Sequence, residues 1–101
     1  MTVNKLIDEL ETEWDLDNGF FGVLRSGIFS NEKYQRLLGL LRAVEIDGEF
    51  INRRLVSLLW YIPLFMSWQK ERVLEADGDV QELESAINAI ISILESKLGV
   101  P

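Results

Sequence analysis

Carboxylates are the side chains in this sequence whose spacing comes nearest to acid–base or metal chemistry. Glu9 and Glu13 lie one helical turn apart, and Asp15 and Asp17 follow closely. Two adjacent carboxylates can act as general acid and base, and several carboxylate oxygens can bind calcium. The chain has no histidine and no cysteine, so the usual general base is missing, and zinc–thiolate sites, Ser-His-Asp triads and Cys-His dyads are excluded.

The acidic turn DLDNG at residues 15–19 does not match a calcium-binding loop. An EF-hand loop needs glycine at its sixth position and glutamate at its twelfth. Counted from Asp15, the glycine comes one position early and the twelfth residue is Ser26. No nucleotide-binding fingerprint occurs either. We therefore expect a non-enzymatic protein without metal or cofactor, whose N-terminal acids form a solvated face.

Four helices are predicted from apolar residues that recur at helical spacing. Thr2, Ser30 and Asp79 are well placed as N-caps of the first, second and fourth helices. A glycine and a proline end the fourth, and Gly78 is expected to take the left-handed conformation that precedes it. The approximate ranges of the four are residues 2–14, 31–44, 50–76 and 80–98.

The third predicted helix is apolar around most of its circumference, which is typical of a buried central helix. Pro63 lies in its middle, where proline removes a backbone hydrogen bond, and we expect a kink there rather than a break. The predicted fold class is thus all-α, a four-helix bundle-like single domain over residues 1–101. A Gly- and Phe-rich irregular segment joins its first two helices.

That irregular segment, residues 14–29, has two interpretations. In the first it is a lid, in which Phe20, Phe21 and Phe29 close one end of the core. In the second it is a recognition loop, in which exposed aromatic residues and charged neighbours anchor a protein partner and glycines allow close backbone approach. The candidate anchors in this segment are Trp14, Asp15, Asp17, Phe20, Phe21 and Arg25.

The densest apolar run, residues 60–68, contains more aromatic surface than one helix in a chain of 101 residues is expected to bury. Trp60, Tyr61 and Trp68 are therefore further candidates for partner binding. The fourth helix has a similar excess, because Ala86, Ala89 and Ile93 lie beside its main apolar stripe. A homodimer, or a subunit of a larger assembly, with the third and fourth helices as its interface is one alternative. An enzyme or small-ligand carrier with a pocket beside the third helix is another.

The net charge is −7, and its distribution is uneven. Acids dominate residues 1–18 and 74–101, whereas residues 19–73 carry a small excess of basic side chains. The acidic total argues against nucleic acid as a partner, because phosphate contacts need clustered Lys and Arg. The longest apolar stretch, residues 55–68, is shorter than the ~20 residues that cross a bilayer. With no export signal visible, we expect a cytoplasmic protein that does not enter membranes.

In size, helix number and charge the chain resembles the small acidic four-helix immunity proteins that protect bacteria from nuclease toxins. The resemblance covers architecture only and carries over no recognition residues. It implies a non-catalytic acidic binder that neutralises a basic partner protein, as immunity proteins and antitoxins do. This is the most specific function that we expect from the sequence.

Overall fold

The computed structural model describes all 101 residues and contains six helices and no strands. Its helices are α1 (Val3–Thr12), α2 (Phe20–Leu24), α3 (Asn31–Arg42), α4 (Arg53–Trp68), α5 (Lys70–Glu75) and α6 (Val80–Leu98). The predicted all-α, bundle-like fold class is confirmed. The two additional helices are short: α2 lies within the irregular segment, and α5 is the end of the predicted third helix. No helix combines the length and the apolar character that a bilayer crossing requires.

The predicted N-caps start their helices as expected. The side chain of Thr2 accepts a hydrogen bond from the Lys5 amide, and that of Ser30 accepts one from the Lys33 amide. Asp79 Oδ1 accepts hydrogen bonds from the amides of Gln81 and Glu82. Each cap satisfies amides that have no partner within the first turn of a helix.

The core lies between α4 and the helices that surround it. α4 packs against α1 and α6. α3 also packs against α1 and α6, and α2 packs against α3. Leu59, Ile62 and Met66 of α4 have no solvent exposure. The prediction of a central third helix is therefore confirmed for the face of α4 that carries these residues.

The predicted third helix differs from the observed structure at its start and by an interruption near its end. Phe50 is almost fully exposed, and α4 begins instead after Asn52, whose side chain accepts a hydrogen bond from the Leu55 amide. The helix continues through Pro63 and is interrupted six residues later, at Gln69. There the amide of Gln69 bonds to the Met66 carbonyl, a tighter turn than an α-helix makes.

The turn before α6 also corrects an expectation. Asp77, with φ of 59°, is the residue in the left-handed conformation, and Gly78 is not. The amides of Asp77 and Gly78 donate to the carbonyls of Leu74 and Val73, which is the Schellman arrangement that terminates helices. A Cβ on Gly78 would come within 2.8 Å of the Val73 side chain, so glycine is needed there for space.

Candidate interaction surface

The lid interpretation of residues 14–29 describes Phe20 and Phe21. These side chains are 0% and 1% exposed and lie in the hydrophobic core. Phe20 packs against Tyr34 of α3, and Phe21 packs edge-on against Phe65 of α4. As folded, neither phenylalanine offers surface to a partner. Phe29 is half-buried and packs beside Phe20.

The glycines of this segment allow its own backbone to pack closely. A Cβ on Gly22 would overlap the carbonyl of Asp15, because α2 lies directly against the turn that follows α1. Gly27 has φ of 86°, and a Cβ there would overlap the carbonyl of Arg72. The close approaches at these two positions are therefore within the chain.

Three of the predicted anchors in this segment are exposed: Asp15, Asp17 and Arg25. One carboxylate oxygen of Asp15 accepts hydrogen bonds from the amides of Asp17 and Asn18, at 3.2 and 2.8 Å, so Asp15 also shapes the turn. The guanidinium of Arg25 lies 5.5 Å from the ring centroid of Trp14 and 5.3 Å from that of Phe65. These distances are within cation–π range and place Arg25 beside Trp14, which follows α1, and Phe65 of α4.

Glu13 is a buried carboxylate whose role the sequence did not reveal. It was expected on the solvated face of the first helix, yet it is 2% exposed. Its Oε1 accepts hydrogen bonds from the Phe20 amide, at 3.0 Å, and from Arg36 Nη2, at 2.7 Å, while Oε2 accepts one from Arg36 Nε, also at 2.7 Å. Arg36 Nη2 also donates to the Asn18 carbonyl. The hydrogen bonds with Glu13 raise the pKa of Arg36.

This network gives Glu13 a structural role. A single carboxylate joins the end of α1, the first amide of α2 and a side chain of α3. Both of its oxygens are occupied by partners from the same chain, as a buried charge requires. The only signal in the sequence was an arginine in the middle of the second predicted helix, and it does not indicate which acid would meet it.

The exposed face of α4 carries a row of large apolar side chains. Trp60, Leu64 and Trp68 follow one another at four-residue intervals and are 54%, 36% and 56% exposed. Tyr61 is partly buried and packs against both tryptophans, with its ring centroid 5.6 Å from that of Trp60 and 5.8 Å from that of Trp68. We call Trp60, Tyr61, Leu64 and Trp68 the α4 aromatic face.

Trp14 extends the α4 aromatic face toward α1. Its ring centroid is 6.1 Å from that of Tyr61 and 4.6 Å from that of Phe65. The structure thus brings together four predicted partner-binding residues: Tyr61 is the central ring, and Trp14, Trp60 and Trp68 pack around it. Arg25 lies at their edge, whereas Asp15 and Asp17 lie in the turn beyond Trp14.

An open groove of about 500 Å³ runs along this cluster. Its lining residues are Glu11, Trp14, Arg54, Ser57, Leu58, Trp60 and Tyr61. Arg54 Nε donates to Glu11 Oε1 at 3.1 Å across one side of the groove, and both side chains are about half exposed. Glu11 is thus the carboxylate that a small ligand in this groove would meet, and it is solvated and ion-paired. The buried carboxylate, Glu13, lines a different groove.

That second groove, of about 560 Å³, is polar. It is lined by Glu9, Thr12, Glu13, Asp15, Asn18, Arg36 and Leu40. It contains three of the N-terminal carboxylates, Glu9, Glu13 and Asp15, and Arg36 neutralises Glu13. No group of three or more acidic side chains is arranged to hold a metal ion.

The apolar excess predicted for the fourth helix is mostly used within the chain. Ala86 of α6 is buried, and Ile93 is half-buried and packs against the core. Ala89 is exposed, but it is a small side chain. Of the two predicted interface helices, α4 is the one with a row of large exposed apolar side chains, whereas α6 exposes Leu98 at its last position.

Comparisons with known proteins add no family to this description. No protein-family model matches the chain, and no curated protein or solved structure matches it significantly.

Proposed function

We propose that this chain is a non-catalytic protein-interaction domain that binds a protein partner through the α4 aromatic face. The observation that carries the proposal is the pair of tryptophans, Trp60 and Trp68, each more than half exposed on one face of one helix. Tryptophan and tyrosine are enriched where proteins bind one another, because each buries a large area at a small cost in side-chain entropy.

The surroundings of these residues support the proposal. Tyr61 packs against both tryptophans and restricts them before any partner arrives, which lowers the entropy lost on binding. Arg54 and Glu11 provide a polar rim at one side. An apolar centre with a polar rim is the usual anatomy of a protein interface.

Site-specific photo-crosslinking in the source cell tests the proposal. A photoreactive amino acid at Leu64 should form an adduct of defined mass, whereas the same group at Ser85, an exposed position of α6, should not. The adduct at position 64 should be lost when Trp60 and Trp68 are both replaced by serine. Equal crosslinking at both positions, or none at position 64, would contradict the proposal.

The second candidate is the neutraliser of a basic protein, in the manner of immunity proteins and antitoxins. It is favoured by the net charge of −7 and by the exposed carboxylates Asp8, Asp15 and Asp17 on and after α1. A partner steered by these charges should associate more slowly as salt rises and with the triple variant D8N/D15N/D17N. A toxin gene adjacent to the gene for this chain would also support it. An association rate indifferent to salt would argue for the apolar face alone.

A further inference from the structure

We infer that the partner of the α4 aromatic face is a second copy of this chain, bound with the two α4 helices antiparallel. This inference rests on the proposed function, because it names the occupant of the same face. It follows from the symmetry of the residues along α4 and α5 and from the charges at the two ends of that surface.

Three of the four residues of the α4 aromatic face are placed symmetrically in the sequence about Leu64; Tyr61 is the exception, because the position that mirrors it is Ser67. Trp60 precedes Leu64 by four residues and Trp68 follows it by four. A two-fold axis perpendicular to α4 at Leu64 therefore brings Trp60 of one copy toward Trp68 of the other, and Leu64 toward its own equivalent. An isologous interface requires such a self-complementary patch.

The charges at the ends have the complementary signs. In the sequence, Arg53, the first residue of α4, lies eleven residues before Leu64. Glu75, the last residue of α5, lies eleven residues after it, beyond the interruption at Gln69. Glu71 is also exposed at the α5 end. None of these three side chains forms an ion pair within the chain, whereas the neighbouring Lys70 pairs with Glu84.

Two of these unpaired charges, Arg53 and Glu75, also lie at unfavourable ends of their own helices. A positive side chain in the first turn and a negative one in the last turn are opposed by the helix dipole. Arg53 and Glu75 occupy these positions. In the antiparallel arrangement Arg53 of one copy approaches Glu71 and Glu75 of the other, while Arg72, the exposed cation between them, donates to the Arg25 carbonyl of its own chain. A parallel arrangement would instead place Arg53 beside Arg53.

The area of the α4 aromatic face indicates how tightly the dimer should associate. Stable interfaces bury about 800 Å² on each partner, and one helical face with two half-exposed tryptophans supplies less. We therefore expect a dimer that dissociates in the micromolar range, with a mass that changes with concentration from 11.6 kDa toward twice that value.

Charge reversal with mixing tests the antiparallel arrangement. Sedimentation equilibrium of the full chain should show that R53E and E71K/E75K each weaken self-association about tenfold or more, because each creates two like-charged contacts per dimer. An equimolar mixture of the two variants should recover the wild-type affinity. At one end of the mixed dimer the carboxylate introduced at position 53 meets the amines introduced at positions 71 and 75, and wild-type charges meet at the other end. Native mass spectrometry should then show the mixed dimer as the main species.

Four outcomes would overturn the inference. The first is a wild-type chain that remains a monomer at millimolar concentration. The second is a dimer that is abolished by L64R but unaffected by charge reversal. The third is a mixture of the two variants that stays as weak as its components. The fourth is a parallel dimer, in which R53E mixed with wild type would associate more tightly than wild type alone. In each case a crosslink from position 64 to a different protein would leave the proposed function standing.

Discussion

The carboxylate of Glu13 and the guanidinium of Arg36 are joined by two parallel hydrogen bonds of 2.7 Å, across 23 residues of chain. The same carboxylate accepts the Phe20 amide at the start of α2. This pair holds the segment that carries Phe20 and Phe21 against the core. It also occupies one of the two carboxylates whose spacing suggested acid–base chemistry.

Replacing Glu13 with glutamine should lower the free energy of unfolding by about 2–3 kcal/mol, because it removes the charge that Arg36 and the Phe20 amide both contact. The matched control is Glu11→Gln, which breaks the exposed pair with Arg54 and should cost less than about 1 kcal/mol. Urea unfolding followed by circular dichroism measures both. Equal costs for the two variants would mean that Glu13 is not the carboxylate that organises the segment.

Replacing Gly22 with alanine should destabilise the chain by about 3 kcal/mol, because the new methyl group would overlap the Asp15 carbonyl. Gly39 is the matched control. It lies on the exposed side of α3 with open space where a Cβ would stand, so Gly39→Ala should stabilise the chain by about 0.5–1 kcal/mol through helix propensity. In thermal unfolding, Gly22→Ala should lower the melting temperature and Gly39→Ala should raise it. A tolerated alanine at position 22 would contradict the close approach of Gly22 to the Asp15 carbonyl.

The stability of the chain should fall at alkaline pH through Tyr34. Burial raises the pKa of the Tyr34 hydroxyl above its ordinary value, against a smaller opposing effect of Arg42. Below about pH 10 the phenol is neutral in the folded and unfolded chains and its contribution is constant. Above that pH the unfolded chain ionises first, so stability falls by at most about 1.4 kcal/mol per pH unit until the folded pKa is reached.

The control for Tyr34 is the variant Tyr34→Phe, which retains the buried ring. The difference in unfolding free energy between wild type and this variant should be constant up to about pH 10. Above that pH the wild type should lose stability relative to the variant. Other groups that titrate in this range cancel in the difference. A difference that is independent of pH up to about pH 12 would show that the hydroxyl ionises equally well in the folded chain.

Leu59 and Trp60 should respond very differently to alanine, although they are neighbours on α4. Leu59 has no solvent exposure, and its replacement should cost about 2–5 kcal/mol. Trp60 is half exposed, and its replacement should cost about 1 kcal/mol or less when unfolding is measured at low protein concentration, where association does not contribute. A larger cost for Trp60 than for Leu59 would mean that the core-facing side of α4 is wrongly assigned.

Much of the fold was readable from local chemistry. The caps at Thr2, Ser30 and Asp79 and the apolar spacing located α1, α3 and α6 to within about two residues at each end, because these signals act within one or two turns. The interruption at Gln69 was not readable in the same way. The proline at position 63 was the stronger local signal, yet α4 continues through it, with Ile62 and Met66 on either side buried in the core.

The same distinction between local signals and long-range packing applies to the candidate site. The sequence by itself determined that the chain is all-helical, that histidine and cysteine chemistry is excluded, and that the segment around Trp60 and Trp68 has more apolar surface than one core needs. Only the tertiary structure decided which aromatic side chains enter the core. Phe20 and Phe21 are buried, whereas Trp60 and Trp68 remain exposed, and Glu13 is paired with Arg36. Burial depends on which helices pack together across long separations in the chain. The periodicity of a single helix does not indicate which helices those are.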